Sequence, residues 1–193
     1  MQAKTHSICV FCGSRTGRNP EYAIAAKEFG TELAIQGWRL VYGAGDIGLM
    51  GEVARAAQCA GGKTFGVIPK QLVEFEVAKH DLDSLVVTEN MHERKSVMFM
   101  NSDAFVVLPG GVGTIDEFVE ILTWRHLGFH TKPVGLLNIG GYWDLTVRAL
   151  GGVVEKGFTE FELLSYFEVL GSVAESIGWL RDKLALGDTR NRP

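Results

Sequence analysis

The chain has 193 residues, enough for one domain with a sizeable core; hydrophobic residues make up 46% and charged residues 22%, as in an ordinary globular protein. A net charge of −4 argues against a broad surface for nucleic-acid polymers or membranes, so any phosphate has to be held locally. No secretory segment follows Lys4, and no window approaches the roughly 18 uninterrupted apolar residues of a membrane span, so a soluble cytoplasmic protein is expected.

In chain order, a strand is predicted at Ile8–Phe11, a helix over Pro20–Gln36 and a second strand at Arg39–Tyr42. A helix over Met50–Ala60 follows, then strands at Thr64–Ile68 and Ser84–Val87 and a helix over Met91–Asn101. The second half reads as strand Ala104–Leu108, helix Thr114–Leu127, strand Val134–Asn138, helix Tyr142–Lys156, strand Phe167–Leu170 and helix Val173–Leu186. The strands are continuous Val/Ile/Leu-rich runs, as expected of parallel strands covered on both faces. This alternation predicts an α/β fold: a doubly wound, mostly parallel, Rossmann-like sheet with helices on both faces. No repeat, linker or boundary interrupts it, so residues 1–193 read as a single nucleotide-binding α/β domain, with residues 187–193 a polar, frayed tail.

Two residue pairs invite other chemistries. Cys9-Val10-Phe11-Cys12 has the spacing of a redox pair, but in a strand positions i and i+3 point to opposite faces. His126 and His130 have i, i+4 spacing, but Gly128 lies between them and no His-Glu-x-x-His occurs. No metal site and no cofactor is expected.

The glycines collect where predicted strands end, which in such folds is where ligands bind. Strand one ends in Cys12-Gly13-Ser14-Arg15, and strand two in Tyr42-Gly43-Ala44-Gly45-Asp46-Ile47-Gly48. The second run is literally G-x-G-x-x-G. A dinucleotide fingerprint, however, follows the first strand and has an acid roughly 20 residues later; here Lys63 to Pro69 contains none. No G-x-x-x-x-G-K-[ST] is present. A glycine loop that lets a nucleotide approach the backbone is the better reading.

Leu108-Pro109-Gly110-Gly111-Val112-Gly113-Thr114-Ile115-Asp116-Glu117 is the most informative run. It joins a buried strand to a helix start, whose unpaired N–H groups and positive dipole end suit a phosphate. Three glycines remove the Cβ atoms that would keep a ligand away, and Glu117 lies one turn on. Thr114-x-x-Glu117 also matches a capping box, although a cap needs no Pro-Gly-Gly-x-Gly before it. Arg94-Lys95, at another predicted helix start, is either a solvated pair or, near an anion, a clamp. The arginine pKa is too high for a proton donor, so Glu117 is the acid/base candidate.

Pro109-Gly110-Gly111-Val112-Gly113-Thr114-Ile115-Asp116-Glu117 resembles the P-G-G-x-G-T-x-x-E signature of the Lonely-Guy (LOG) family, and Met91-His92-Glu93-Arg94-Lys95 resembles that family's second motif. Val10–Ser14, Tyr42–Gly51, Thr123-Trp124 and Lys132–Asn138 also fit, so the resemblance spans roughly Ser7 to Phe158. It implies a cytokinin riboside 5′-monophosphate phosphoribohydrolase, which hydrolyses the N-glycosidic bond of a purine nucleoside 5′-monophosphate to free base and ribose 5-phosphate. Carried over, Arg94 and Glu117 are the catalytic pair. Gly110, Gly111, Val112, Gly113 and Thr114 hold the phosphate. Gly13, Ser14, Gly43 and Gly45 border the substrate, and Lys95, Thr123 and Glu76 add contacts. Ala44 stands where many relatives have glycine, a change expected to matter little. Some relatives carry a lysine decarboxylase label, but no lysine here sits in a pyridoxal-phosphate context. The alternative is a non-catalytic nucleotide-binding or sensing module on the same fold; a nucleotide-linked carrier of another cofactor is weaker still. The resemblance also implies a homodimer, with Met98, Phe99, Met100, Ile121, Leu122 and Trp124 on the helices that it would partly bury.

Overall fold

The computed structural model describes residues 5–73 and 79–190. Seven parallel strands form one sheet in the order β4-β3-β2-β1-β5-β6-β7. They are β1 (Ser7–Phe11), β2 (Arg39–Tyr42), β3 (Thr64–Pro69), β4 (Ser84–Thr88), β5 (Ala104–Val107), β6 (Val134–Leu137) and β7 (Glu168–Leu170). The helices are α1 (Pro20–Ile35), α2 (Gly48–Cys59), α3 (Met91–Met100), α4 (Val112–His126), α5 (Asp144–Glu155) and α6 (Val173–Arg190). Short 3₁₀ turns follow β3 (Lys70–Leu72) and β6 (Ile139–Gly141) and precede β7 (Phe161–Ser165). The expected α/β sheet with helices on both faces is what the chain forms.

Alternation along each strand divides the core in two. Ile8, Val10, Leu40, Tyr42, Val106 and Leu108 point to the face covered by α1, α2 and α6, against Phe29, Leu33, Leu49, Val53, Ile177 and Leu180. Cys9, Phe11, Val41, Phe105, Val107 and Leu136 point to the other face, against Met98 of α3 and Phe118, Ile121 and Leu122 of α4, with Trp143 beside them. Each fully buried Leu, Ile or Phe contributes about 1.5–3 kcal/mol relative to exposure. This two-sided burial explains the unbroken apolar strands. It also separates Cys9 from Cys12, which lie in different core layers. Burial, and then the charge of Glu117, push the Cys9 thiol well above its ordinary pKa, so it holds its proton. His130 is taken up by the fold: its Nε2 lies 2.9 Å from the Ile121 carbonyl, and its Nδ1 accepts from the Lys132 N–H.

The strand order reverses at β1. The chain steps outward from β1 through β2 and β3 to β4, then returns to place β5 on β1's other edge. The loops leaving β1 and β5 therefore diverge and open a crevice at the carboxyl edge of the sheet.

Most boundaries fall within one or two residues of expectation, and three of the differences bear on the site or the tail. Helix α2 begins at Gly48, and α6 continues to Arg190 rather than ending at Leu186. Helix α4 begins at Val112 with Gly111 as its N-cap and no side-chain capping bond. Thr114 is therefore the third helical residue and not the cap, which removes the capping-box reading of Thr114 and Glu117. A side-chain cap of this kind is instead found on α3, where Asn90 Oδ1 accepts from Glu93 N–H at 2.9 Å and Glu93 Oε2 accepts from Glu89 N–H at 2.8 Å.

Candidate active site

The crevice holds a cavity of about 500 Å³. Cys12, Gly13 and Ser14 enter from the loop after β1, and Leu49 and Met50 from the start of α2. Met91 and Arg94 enter from α3; Pro109 to Thr114 and Glu117 come from the turn after β5 and the first turns of α4. The segments that follow β1, β2, β4 and β5 thus meet at one crevice. Backbone bonds lock them together: Gly13 N–H donates to the Pro109 carbonyl at 3.1 Å, while the Gly13 carbonyl accepts from Leu49 N–H at 2.9 Å and Met50 N–H at 3.3 Å.

Two of the helix starts at this crevice, those of α2 and α4, differ. The first N–H groups of α2 are used by Gly13. Those of α4 have no side-chain cap, and its first turn carries no acidic residue. Helix geometry leaves these N–H groups without intrahelical acceptors, and the dipole adds positive potential there. A Cβ built on Gly111 or Gly113 would meet nothing within 4 Å, whereas one on Gly110 would overlap the Thr114 side chain. The turn is thus tight beneath, where Thr114 packs, and open above, the form a phosphate requires.

Arg94 is 4% exposed, so the solvated-pair reading does not hold. Its Nε donates to the Val67 carbonyl at 3.1 Å and its Nη2 to the Gly43 carbonyl at 2.9 Å. A carbonyl within β3 and one just past β2 grip the guanidinium and fix its orientation at the cavity wall. Gly43 is required for this: a Cβ there would overlap Nη2. Glu117, half-buried, lines the same cavity one turn beyond the open helix start.

The other site residues fall into three groups. Gly13, Ser14, Gly110, Gly111, Val112, Gly113 and Thr114 line the cavity with Arg94 and Glu117. Gly43, Gly45, Lys95 and Thr123 lie outside that lining. Gly43 seats Arg94, and Gly45 is buried. Thr123 Oγ1 donates to the Val119 carbonyl on its own helix. Lys95, 8% exposed, has its Nζ 3.0 Å from both Asp116 Oδ2 and Glu120 Oε1. Burial alone would lower its pKa; the Glu120 and Asp116 carboxylates outweigh burial and raise it. The pair ties α3 to α4 directly beside Arg94 and Glu117. Glu76 lies outside the described residues.

Sequence reasoning missed the aromatic wall. Tyr22 of α1 and Tyr142, after the 3₁₀ turn Ile139–Gly141, both line the cavity and meet edge to face at 5.4 Å. Their only signal was a tyrosine near Gly-Gly after a strand, which carries no chemistry until the fold brings it across to β5.

A family model described as possible lysine decarboxylase matches residues 50–178. The probable cytokinin riboside 5′-monophosphate phosphoribohydrolase LOGL9 of Oryza sativa subsp. japonica is 47% identical over 157 residues, covering 81% of this chain and 69% of that protein. The cytokinin riboside 5′-monophosphate phosphoribohydrolase LOG1 of Arabidopsis thaliana is 45% identical over 158 residues, covering 82% and 74%. Among solved structures, the molybdenum cofactor carrier protein of Chlamydomonas reinhardtii superposes with a TM-score of 0.73 at 25% identity, over 94% of this chain and 99% of that one. The decarboxylase description finds no counterpart in the cavity, because none of the described residues lining it is a lysine that could form an imine. The high identity to the plant enzymes, and the intact motifs around Arg94 and Glu117, place this chain in the LOG family of cytokinin riboside 5′-monophosphate phosphoribohydrolases.

Proposed function

We propose that this protein hydrolyses the N-glycosidic bond of a purine nucleoside 5′-monophosphate, releasing the free base and ribose 5-phosphate. The observation that carries the reading is the placement of Arg94 and Glu117 in one cavity with the uncapped start of α4. In this reading the 5′-phosphate sits on the N–H groups of Gly111 to Thr114, which fixes the sugar relative to Glu117. As the C1′–N9 bond breaks, its electron pair leaves with the base and positive charge grows on the ribose. Glu117 stabilises that charge or takes a proton from the attacking water, whose oxygen bonds to C1′, while the departing base takes up one proton from solvent to balance the proton that the water gives up. Arg94, permanently charged and held by two carbonyls, clamps an anionic or polar part of the nucleotide. A pure binding module needs the glycine turn but not the carboxylate.

Incubation with AMP followed by chromatography tests this. Adenine and ribose 5-phosphate should appear, and adenosine should be a much poorer substrate because the turn would have no phosphate to hold. Glu117→Gln should keep the fold and lose at least ~10²-fold in turnover. Tight AMP binding without products would instead support the sensing module.

We also infer a homodimer, the commonest oligomer. The surface expected for it needs revision: Met98, Ile121 and Leu122 are core residues, and Phe99 and Trp124 pack on each other and are half-buried, leaving only Met100 exposed. A stripe of exposed apolar residues does run along α4, at Val112, Ile115 and Val119. It begins beside the cavity, since Val112 lines it. Light scattering should give about twice the 21.1 kDa of one chain.

A further inference from the structure

Tyr142 is the one aromatic side chain tied to the phosphate turn by a hydrogen bond among those described: its hydroxyl donates to the Gly110 carbonyl. The backbone around the residue and its ring are also held. Gly140 and Gly141 both have positive φ and turn the chain sharply after β6. Asn138 secures that turn, with Oδ1 accepting from Trp143 N–H at 2.7 Å and Nδ2 donating to Asp144 Oδ1 at 2.8 Å. The Tyr142 ring stands perpendicular to the fully buried Trp143 at 4.9 Å and edge-on to Tyr22 at 5.4 Å. A rigid aromatic arm thus reaches from β6 to the turn after β5.

The peptide it holds lies between two glycines. Gly110 and Gly111 flank it, so no Cβ on either side resists its rotation. A peptide that flips reverses its N–H and C=O together, because the two groups lie antiparallel in one plane. The preceding carbonyl, of Pro109, is fixed by Gly13 N–H. The next, of Gly110, is fixed by Tyr142. Polarisation adds to this: a peptide whose oxygen accepts a hydrogen bond has a more strongly donating N–H.

We propose that Tyr142 is a positioning residue for the 5′-phosphate: its hydroxyl sets the plane of the 110–111 peptide and thereby aims and strengthens the Gly111 N–H as a phosphate donor. This rests on the phosphoribohydrolase reading of the same cavity. The residue acts on binding of the phosphate, not on the glycosidic bond.

Tyr142→Phe keeps the ring and its packing and removes only the hydroxyl. The loss of one such hydrogen bond should raise KM for AMP, and Kd for ribose 5-phosphate measured by calorimetry, by about tenfold. Turnover at saturating AMP should change less than threefold, and kcat/KM for adenosine should fall far less than kcat/KM for AMP. Tyr142→Leu, which loses the ring as well, should show the same phosphate defect plus a lower Tm. Unchanged ribose 5-phosphate affinity in Tyr142→Phe would overturn the proposal, and so would an equal loss on AMP and adenosine, which would make Tyr142 a contact for sugar or base. A wild-type protein that binds ribose 5-phosphate but does not cleave AMP would remove the hydrolase reading and leave the Tyr142 comparison intact in the binding assay.

Discussion

A methyl group added at Gly43 would overlap the Arg94 guanidinium, one at Gly48 the Ser14 backbone and one at Gly51 the Asp46 carbonyl, whereas a methyl group at Gly111 or Gly113 would meet no atom within 4 Å. The loop after β2 and the turn after β5 are both glycine-rich and both lead into helices at the same crevice. In the first, glycine admits other parts of the protein: an arginine, a neighbouring loop, the helix's own first turn. In the second, it leaves space. The helix starts repeat the contrast, since Gly13 occupies the N–H groups of α2 while α4 has no side-chain cap. A G-x-G-x-x-G string therefore marks tight packing here, and Pro-Gly-Gly-x-Gly marks open space. The dinucleotide reading of the first loop fails for this reason as well as for its place after the second strand.

The largest effect should come from Gly43. Gly43→Ala pushes the Arg94 guanidinium off the carbonyls that hold it, so turnover of AMP should fall by ~10²-fold or more, as when a charge-stabilising group is displaced. If Gly43 acts only by seating Arg94, Gly43→Ala combined with Arg94→Ala should be no worse than Arg94→Ala alone. A double variant that loses the product of the two single effects would show that Gly43 meets the substrate itself. Steady-state kinetics on the four proteins, each checked by circular dichroism, decides this.

The second loop makes the opposite prediction. At Gly111 a Cβ fits the protein, and φ of −86° suits alanine. Gly111→Ala should therefore fold with a stability within about 1 kcal/mol of wild type, the weaker N-cap being its main cost. Its methyl group would project into the open space above the turn, so KM for AMP should rise about tenfold, comparable to one lost hydrogen bond, with little change on adenosine. A large drop in Tm would mean that the space above Gly111 belongs to the fold rather than to a ligand.

These contrasts also show what could be read before the structure. The seven strands and six main helices were legible because apolar strand runs alternate with helical periodicity, but the switch at β1 was not, since strand order is set by pairing between segments distant in sequence. Arg94 and Glu117 were legible as types but not as environments. Only the fold shows that Arg94 is buried between the Val67 and Gly43 carbonyls. Lys95 looked like an anion contact because it adjoins Arg94; helical geometry turns it instead to Asp116 and Glu120, a partnership between residues 21 and 25 positions apart. Thr114 looked like a cap because threonine often is one, and the cap proved to be Gly111, whose lack of a side chain leaves the helix start open. Tyr142 was illegible because its partner, Gly110, lies 32 residues away in sequence.

The smallest effect concerns Ala44, which follows Gly43 of the Arg94 seat. Ala44 has φ +60°, the one non-glycine residue with positive φ among those described, and it is fully buried. An alanine in that conformation is strained by about 1–2 kcal/mol. Ala44→Gly relieves the strain but frees the unfolded chain, which costs about 0.4–1 kcal/mol, and it unburies a methyl group worth about 0.8 kcal/mol. The terms nearly cancel, so urea denaturation should show a change below about 1 kcal/mol, agreeing with the expectation that alanine here matters little. Activity tests the comparison more finely. The Ala44 methyl group packs against Gly66, with Ile68 buried in the same small cluster, on the strand whose Val67 carbonyl holds Arg94. If the β2 loop serves the site only through packing, removing that methyl should loosen the Arg94 seat slightly and lower turnover two- to threefold with KM for AMP unchanged. A change confined to KM would place Ala44 beside the nucleotide and make the first glycine loop a ligand cradle after all.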